Sequence, residues 1–225
     1  MRRYGRAVAG MVAVLAFGIV VHGCHGSGPG SAGAARPGAA TASPGAASPG
    51  APGSASPSAA PSANAYDPAN FAAQVRTRAG QAGIDPQLLM AILYNESYKP
   101  HDPAFERAWQ KMKPDAAFGI ANMHQAAFDD TKVGRDFANR SWQELPDDPD
   151  LAIEAAAWFL HDLAAQLPAH PTAALTKDEL LALGYNAGAG NMLAFAHGTA
   201  PGSAARSYLD QLHANWAKAA TALAQ

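Results

Sequence analysis

Glu96 stands where an ionisable group is least expected. The segment Pro86-Gln87-Leu88-Leu89-Met90-Ala91-Ile92-Leu93-Tyr94-Asn95-Glu96-Ser97 repeats apolar residues at helical spacing, and Leu89, Ile92, Leu93 and Glu96 fall on one stripe. A carboxylate that continues a buried face is partly desolvated. Desolvation disfavours its charged form and raises its pKa, which keeps the group protonated near neutral pH and ready to donate a proton. The same residue admits a second reading. Pro100 follows four positions later, and a glutamate in a frayed last turn would simply point to water, at a cost of a few tenths to about 1 kcal/mol against the helix dipole.

Other chemistries leave no comparable trace. The eight histidines include no His-Glu-x-x-His pair, and there is neither a Gly-rich phosphate loop nor a Gly-x-Ser-x-Gly elbow. Asp147-Asp148-Pro149-Asp150 reads either as a calcium loop or as a solvated turn feeding a helix N-cap. No metal and no organic cofactor is expected. Formal charge is −2, and becomes −5 if residues 1–23, with Arg2, Arg3 and Arg6, are removed. No basic stripe is available to neutralise phosphates, which argues against nucleic acid as a partner.

The elements that must position Glu96 announce themselves by their starts. Asp67-Pro68, Asp85-Pro86 and Asp102-Pro103 each put an N-cap acid before a proline suited to the first helical position. Thr176-Lys177-Asp178-Glu179 is a capping box, and Pro149-Asp150 opens another helix. Helices are predicted near 68–81, 86–97, 103–112, 123–130, 149–167, 177–187 and 203–223. Ile153, Ala156, Ala157, Phe159, Leu160 and Leu163 give the fifth of these the wide apolar face of a core helix. Strand signals are all but absent, so the fold class is mainly α.

The first 64 residues follow another logic. Residues 1–23 carry a basic start and an apolar run from Val8 to Val21, the pattern of an export leader too short to span a bilayer comfortably. The run ends in Val21-His22-Gly23-Cys24, which resembles a bacterial lipobox with cleavage before Cys24 and lipidation of its sulfur. The alternative is an ordinary signal peptide beside an incidental thiol. As the only cysteine, Cys24 excludes an internal disulfide. From His25 to Asn64 nearly every residue is Gly, Ala, Ser or Pro, and such a segment lacks the apolar surface needed to offset ordering, so a disordered tether is expected. The expected organisation is a leader (1–23), a lipidated Cys24 with its linker (24–64), and one folded domain (65–225). The protein would face the cell wall from outside the cytoplasm, held at the membrane by its lipid.

Three segments of the folded part occur together in an order that resembles one enzyme family. Glu96-Ser97, then Ala116-Ala117-Phe118-Gly119-Ile120-Ala121-Asn122-Met123, then Ala182-Leu183-Gly184-Tyr185-Asn186-Ala187-Gly188-Ala189-Gly190 are similar to the Glu-Ser pair, the Gly-Leu-Met-Gln segment and the Ala-Tyr-Asn-Ala-Gly-x-Gly segment of soluble lytic transglycosylases and goose-type lysozymes. Arg206-Ser207-Tyr208-Leu209 resembles, more loosely, the closing Tyr-Val motif. The resemblance implies a lysozyme-like domain that cuts peptidoglycan glycan strands between N-acetylmuramic acid and N-acetylglucosamine. It implies that Glu96 protonates the glycosidic oxygen and later acts as base, while the muramyl 6-hydroxyl closes a 1,6-anhydro product.

The same resemblance assigns roles to the matching positions. Ser97 would orient the carboxylate or the substrate, and Gly119 with Ile120 would form a backbone wall against the sugar. Asn122 stands where the family has glutamine. Tyr185 would hydrogen-bond the catalytic carboxylate, Asn186 and Ala187 would shape the cleft, and Tyr208 would close its other side. On its own residues alone, Tyr185 reads equally as a core aromatic, and Asn186 as a helix C-cap before Gly188.

Two departures open alternatives. Gly119 lies 23 residues after Glu96, a longer connection than the family's. The extra length, 98–118, either folds as a flap that offers Trp109 to a sugar or packs Phe105 and Trp109 inward. Asp102 or Glu106 would be a second carboxylate, making the enzyme a water-adding muramidase. The Ala121-Asn122 replacement also leaves room for a non-catalytic glycan-binding lipoprotein.

Overall fold

The computed structural model describes residues 63–172 and 174–225; the expected leader, Cys24 and the expected linker up to residue 62 lie outside the described residues. Two short 3-10 turns, Ala63–Tyr66 and Pro68–Phe71, lead into α1 (Ala72–Ala82). Then come α2 (Pro86–Glu96), α3 (Pro103–Met112), α4 (Gln125–Thr131), a 3-10 turn at Trp142–Glu144, α5 (Pro149–Gln166), α6 (Lys177–Ala187), α7 (Ala189–Ala196) and α8 (Ser203–Leu223). No strand forms among the described residues; extended pairing is limited to one bridge between Phe118 and Met123.

The capping chemistry acts as the sequence predicts. Asp67, Asp85, Asp102 and Asp148 each accept a backbone N–H in the first turn that follows, with proline at the start of each element. Thr176 and Glu179 form the expected capping box. Ser141 and Glu144 form another, at the 3-10 turn that the sequence reading leaves in a loop. The helix absent from the predictions is α7. Its start lies inside Gly188-Ala189-Gly190, which reads as a break, yet Gly188 ends α6 with φ 85° and the chain turns straight into the next helix. The two helices touch closely: a Cβ on Gly184 would lie 2.7 Å from Met192 Sδ.

α2 is the axis of the domain. Every residue from Leu88 to Glu96 is buried, because α1, α6 and α8 pack around it. Burial of Leu88, Leu89, Ile92 and Leu93 contributes about 1.5–3 kcal/mol each, and this apolar pull fixes the helix that carries Glu96. α5 runs alongside with Leu151 to Ala157, Leu160 and Leu163 buried, so its apolar face is as wide as its sequence implies. Asn95 locks α8 onto α2: its amide donates to the carbonyl of Tyr208 (3.2 Å) and its oxygen accepts from Asn215 (2.8 Å).

Candidate active site

Glu96 is the last residue of α2, yet its side chain turns inward and the residue is only 8% exposed. The frayed-end reading therefore fails. Oε1 accepts from the hydroxyl of Tyr208 (3.0 Å), and Oε2 accepts from the amide of Asn122 (3.2 Å), which also donates to the Glu96 carbonyl (3.3 Å). Burial pushes the Glu96 carboxyl above its ordinary range, outweighing the opposing effects of those two hydrogen bonds and of the neighbouring His101 and Lys99. The carboxyl borders an open groove of about 310 Å³, together with Asn122, Tyr185, Asn186 and Tyr208.

Asn122 reaches Glu96 because of a tight hairpin. Phe118 and Met123 exchange both backbone hydrogen bonds at 3.0 Å, and the four residues between them must reverse the chain. Gly119 (φ 72°) and Asn122 (φ 50°) supply left-handed positions; asparagine is one of the few side-chain-bearing residues that tolerates one. Only glycine fits at 119, where a Cβ would lie 2.8 Å from the carbonyl oxygen of Leu145.

Groups outside the hairpin hold it in place. The N–H of Gly119 donates to Glu106 Oε2 (2.7 Å), the ammonium of Lys99 donates to the carbonyl of Ala117 (2.8 Å), and Trp142 Nε1 donates to the carbonyl of Met123 (2.7 Å). The Trp142 ring also stacks on Phe118, with centroids 4.1 Å apart.

Several positions play other parts than the resemblance implies. The hydroxyl of Tyr185 donates to the carbonyl of Ala121 (2.6 Å), not to Glu96, so it braces the hairpin while its ring packs against Phe159. The direct tyrosine partner of Glu96 is Tyr208. The Ser97 hydroxyl donates back to the carbonyl of Leu93 (2.7 Å) and touches neither carboxylate oxygen. Gly119 and Ile120 are not among the residues bordering the groove: the Gly119 N–H is taken by Glu106, the Ile120 side chain is buried, and Ala117 and Asn122 border it. Asn186 lies in the last turn of α6 and faces the groove, and the cap itself is Gly188. The Ala187 carbonyl accepts from Asn191 (2.8 Å) at the turn into α7.

Of the two readings of the insertion, inward packing fails. α3 buries only Glu106, while Phe105 and Trp109 stay 43% and 38% exposed, so they do not pack inward. They stack on each other, with Lys113 over the Trp109 ring, and Trp109 is not among the residues bordering the groove. Glu106 is 1% exposed and pairs with His101 (3.0 Å) and Lys99 (3.5 Å), and Asp102 caps α3. Neither carboxylate stands in the groove. Asp147 and Asp148 are engaged by Arg107 and Arg140, and Asp148 also caps α5.

Sequence reasoning missed Asn95, Tyr98, His124 and Gln211 at the groove. Gln211 had a readable signal, since it lies one turn after Tyr208 on the same face of α8. Tyr98 and His124 had none, because both lie outside the helices, where no periodicity assigns a face.

A model of the transglycosylase SLT domain matches residues 74–201 of this helical, lysozyme-like domain, more than half of the chain. The chain belongs to the transglycosylase SLT domain family, whose substrate is the glycan strand of peptidoglycan. Tyr208 lies beyond the matched span, although it holds one oxygen of Glu96. No curated protein matches the chain.

Because the Tyr208 hydroxyl favours the ionised form of Glu96, its removal has a signed effect. Tyr208→Phe is expected to raise the Glu96 pKa further, moving the alkaline limb of the pH–rate profile to higher pH, while turnover falls about ten-fold. A limb displaced toward acid would contradict this assignment.

Proposed function

We propose that the protein is a lytic transglycosylase that breaks the bond between N-acetylmuramic acid and N-acetylglucosamine with Glu96 as its single acid and base. The carboxyl gives its proton to the glycosidic oxygen as the bond to the muramyl C1 breaks. The acetamido group assists at C1, the 6-hydroxyl of the same sugar then bonds to it, and the hydroxyl proton returns to Glu96. No water is consumed. Asn122 keeps the carboxyl oriented, and its own amide oxygen, buried without a partner, is an acceptor beside the reacting centre.

The observation that carries this reading is that Glu96 is the one carboxylate bordering the groove among the described residues. A water-adding enzyme of the usual kind places a second carboxylate across the bond, and Glu106 and Asp102 are engaged elsewhere. Mass spectrometry of digested wall is the test. Anhydro-muropeptides, lighter by one water than hydrolysis products, are expected, and hydrated ends alone would assign a muramidase.

We place the enzyme outside the cytoplasm, exported by residues 1–23 and anchored through a lipid on Cys24, with 24–64 as its reach. The support is the lipobox-like Val21-His22-Gly23-Cys24. Cys24→Ala should move the protein from the membrane fraction to the soluble one; an unchanged distribution would remove the anchor.

A further inference from the structure

Beyond Ser97 lies a second recess, of about 640 Å³ against about 310 Å³ for the groove. Tyr98 borders both, so a substituent on a sugar held beside Glu96 has this space next to it. The ionisable side chains around it come in both signs, Lys99 and Lys218 with Asp67 and Asp102. Three of these are committed. Asp67 and Asp102 accept backbone N–H groups of Ala69 and Phe105, and Lys99 reaches the Ala117 carbonyl.

Lys218 differs. Its ammonium lies 3.8 Å from the centre of the Tyr94 ring and forms no ion pair among the described residues. An unpaired cation on an aromatic floor suits an occupant that carries carboxylates on a partly apolar backbone. A neutral sugar would leave the cation unpaired.

We infer that this recess receives the peptide stem borne by the muramyl sugar, with a stem carboxylate against Lys218. The inference rests on the glycan reading of the groove, because the stem hangs from the lactyl group of the very sugar whose bond Glu96 would break. Stem and scissile bond must therefore lie in neighbouring spaces.

The test uses the full chain with the disaccharide N-acetylglucosaminyl-N-acetylmuramic acid, with and without its stem. This disaccharide lacks the scissile bond, so binding is measured without turnover. The stem-bearing form is expected to bind the wild type about ten-fold more tightly than the bare one. Lys218→Glu should remove most of that preference while keeping affinity for the bare disaccharide, the cutting of peptide-free strands and the thermal melt. Equal affinity of the wild type for the two ligands would overturn the inference. So would a Lys218→Glu variant that weakens both alike, since the recess would then be a further sugar site. Failure of the wild type to cut strands of either kind, with stems or without, would instead sink the glycan reading.

Discussion

Glu96→Gln is expected to lose at least about 10³-fold in turnover on cell wall, the range a positioned general acid supplies, while it still binds glycan. A scaffold protein would show no such difference, because neither form would cut. The same substitution should stabilise the fold, in a pH-dependent way that follows from the raised pKa of Glu96. A carboxyl whose folded pKa exceeds its unfolded one contributes stability in its neutral form. That contribution is full below the unfolded pKa and is lost as pH rises through the folded value. Glutamine carries no charge at any pH. The variant should therefore melt close to the wild type at about pH 4 and above it at about pH 8. A gap of the same size at both pH values would mean that the ionised carboxylate costs the fold nothing.

Glu106→Ala is expected to have the largest effect on stability, about 3–5 kcal/mol, because it removes one partner from a buried charged cluster. It strands the Lys99 ammonium, His101 Nδ1 and the Gly119 N–H together. The hairpin that aims Asn122 loses its tie to α3, so turnover at temperatures where the variant remains folded should fall as well. Glu106→Gln separates positioning from chemistry. Its amide oxygen can still accept from Gly119, so it should recover most of the turnover while staying less stable than the wild type. If Glu106→Gln were instead as inactive as Glu96→Gln, a two-carboxylate mechanism would have to replace the one proposed.

Much of the framework was legible because its signals are local. An aspartate before a proline fixes a helix start whatever the rest of the fold does, and four such starts are where the residues say. The stripe that carries Glu96 inward was legible for the same reason, since helical spacing alone sets its face. What the residues could not disclose were long-range choices. Two tyrosines were available to reach the carboxyl. Only the packing of α8 on α2, pinned by Asn95, decides for Tyr208 and leaves Tyr185 to brace Ala121. Glu106 was read as a possible reactive carboxylate because its partners, Lys99, His101 and Gly119, are gathered by the fold and share no motif. Trp109 is the converse case: an aromatic in an amphipathic helix reads as core or as a ligand platform, and α3 rules out the core by turning its glutamate in and its aromatics out.

The proton on Glu96 is the centre of the account, and it can be watched directly by titrating the carboxyl carbons of ¹³C-labelled protein by NMR. One glutamate resonance, absent from Glu96→Gln, should titrate above the ordinary value of about 4.3. A Glu96 carboxyl that titrates at or below that value would be ionised at neutral pH, with no proton to give.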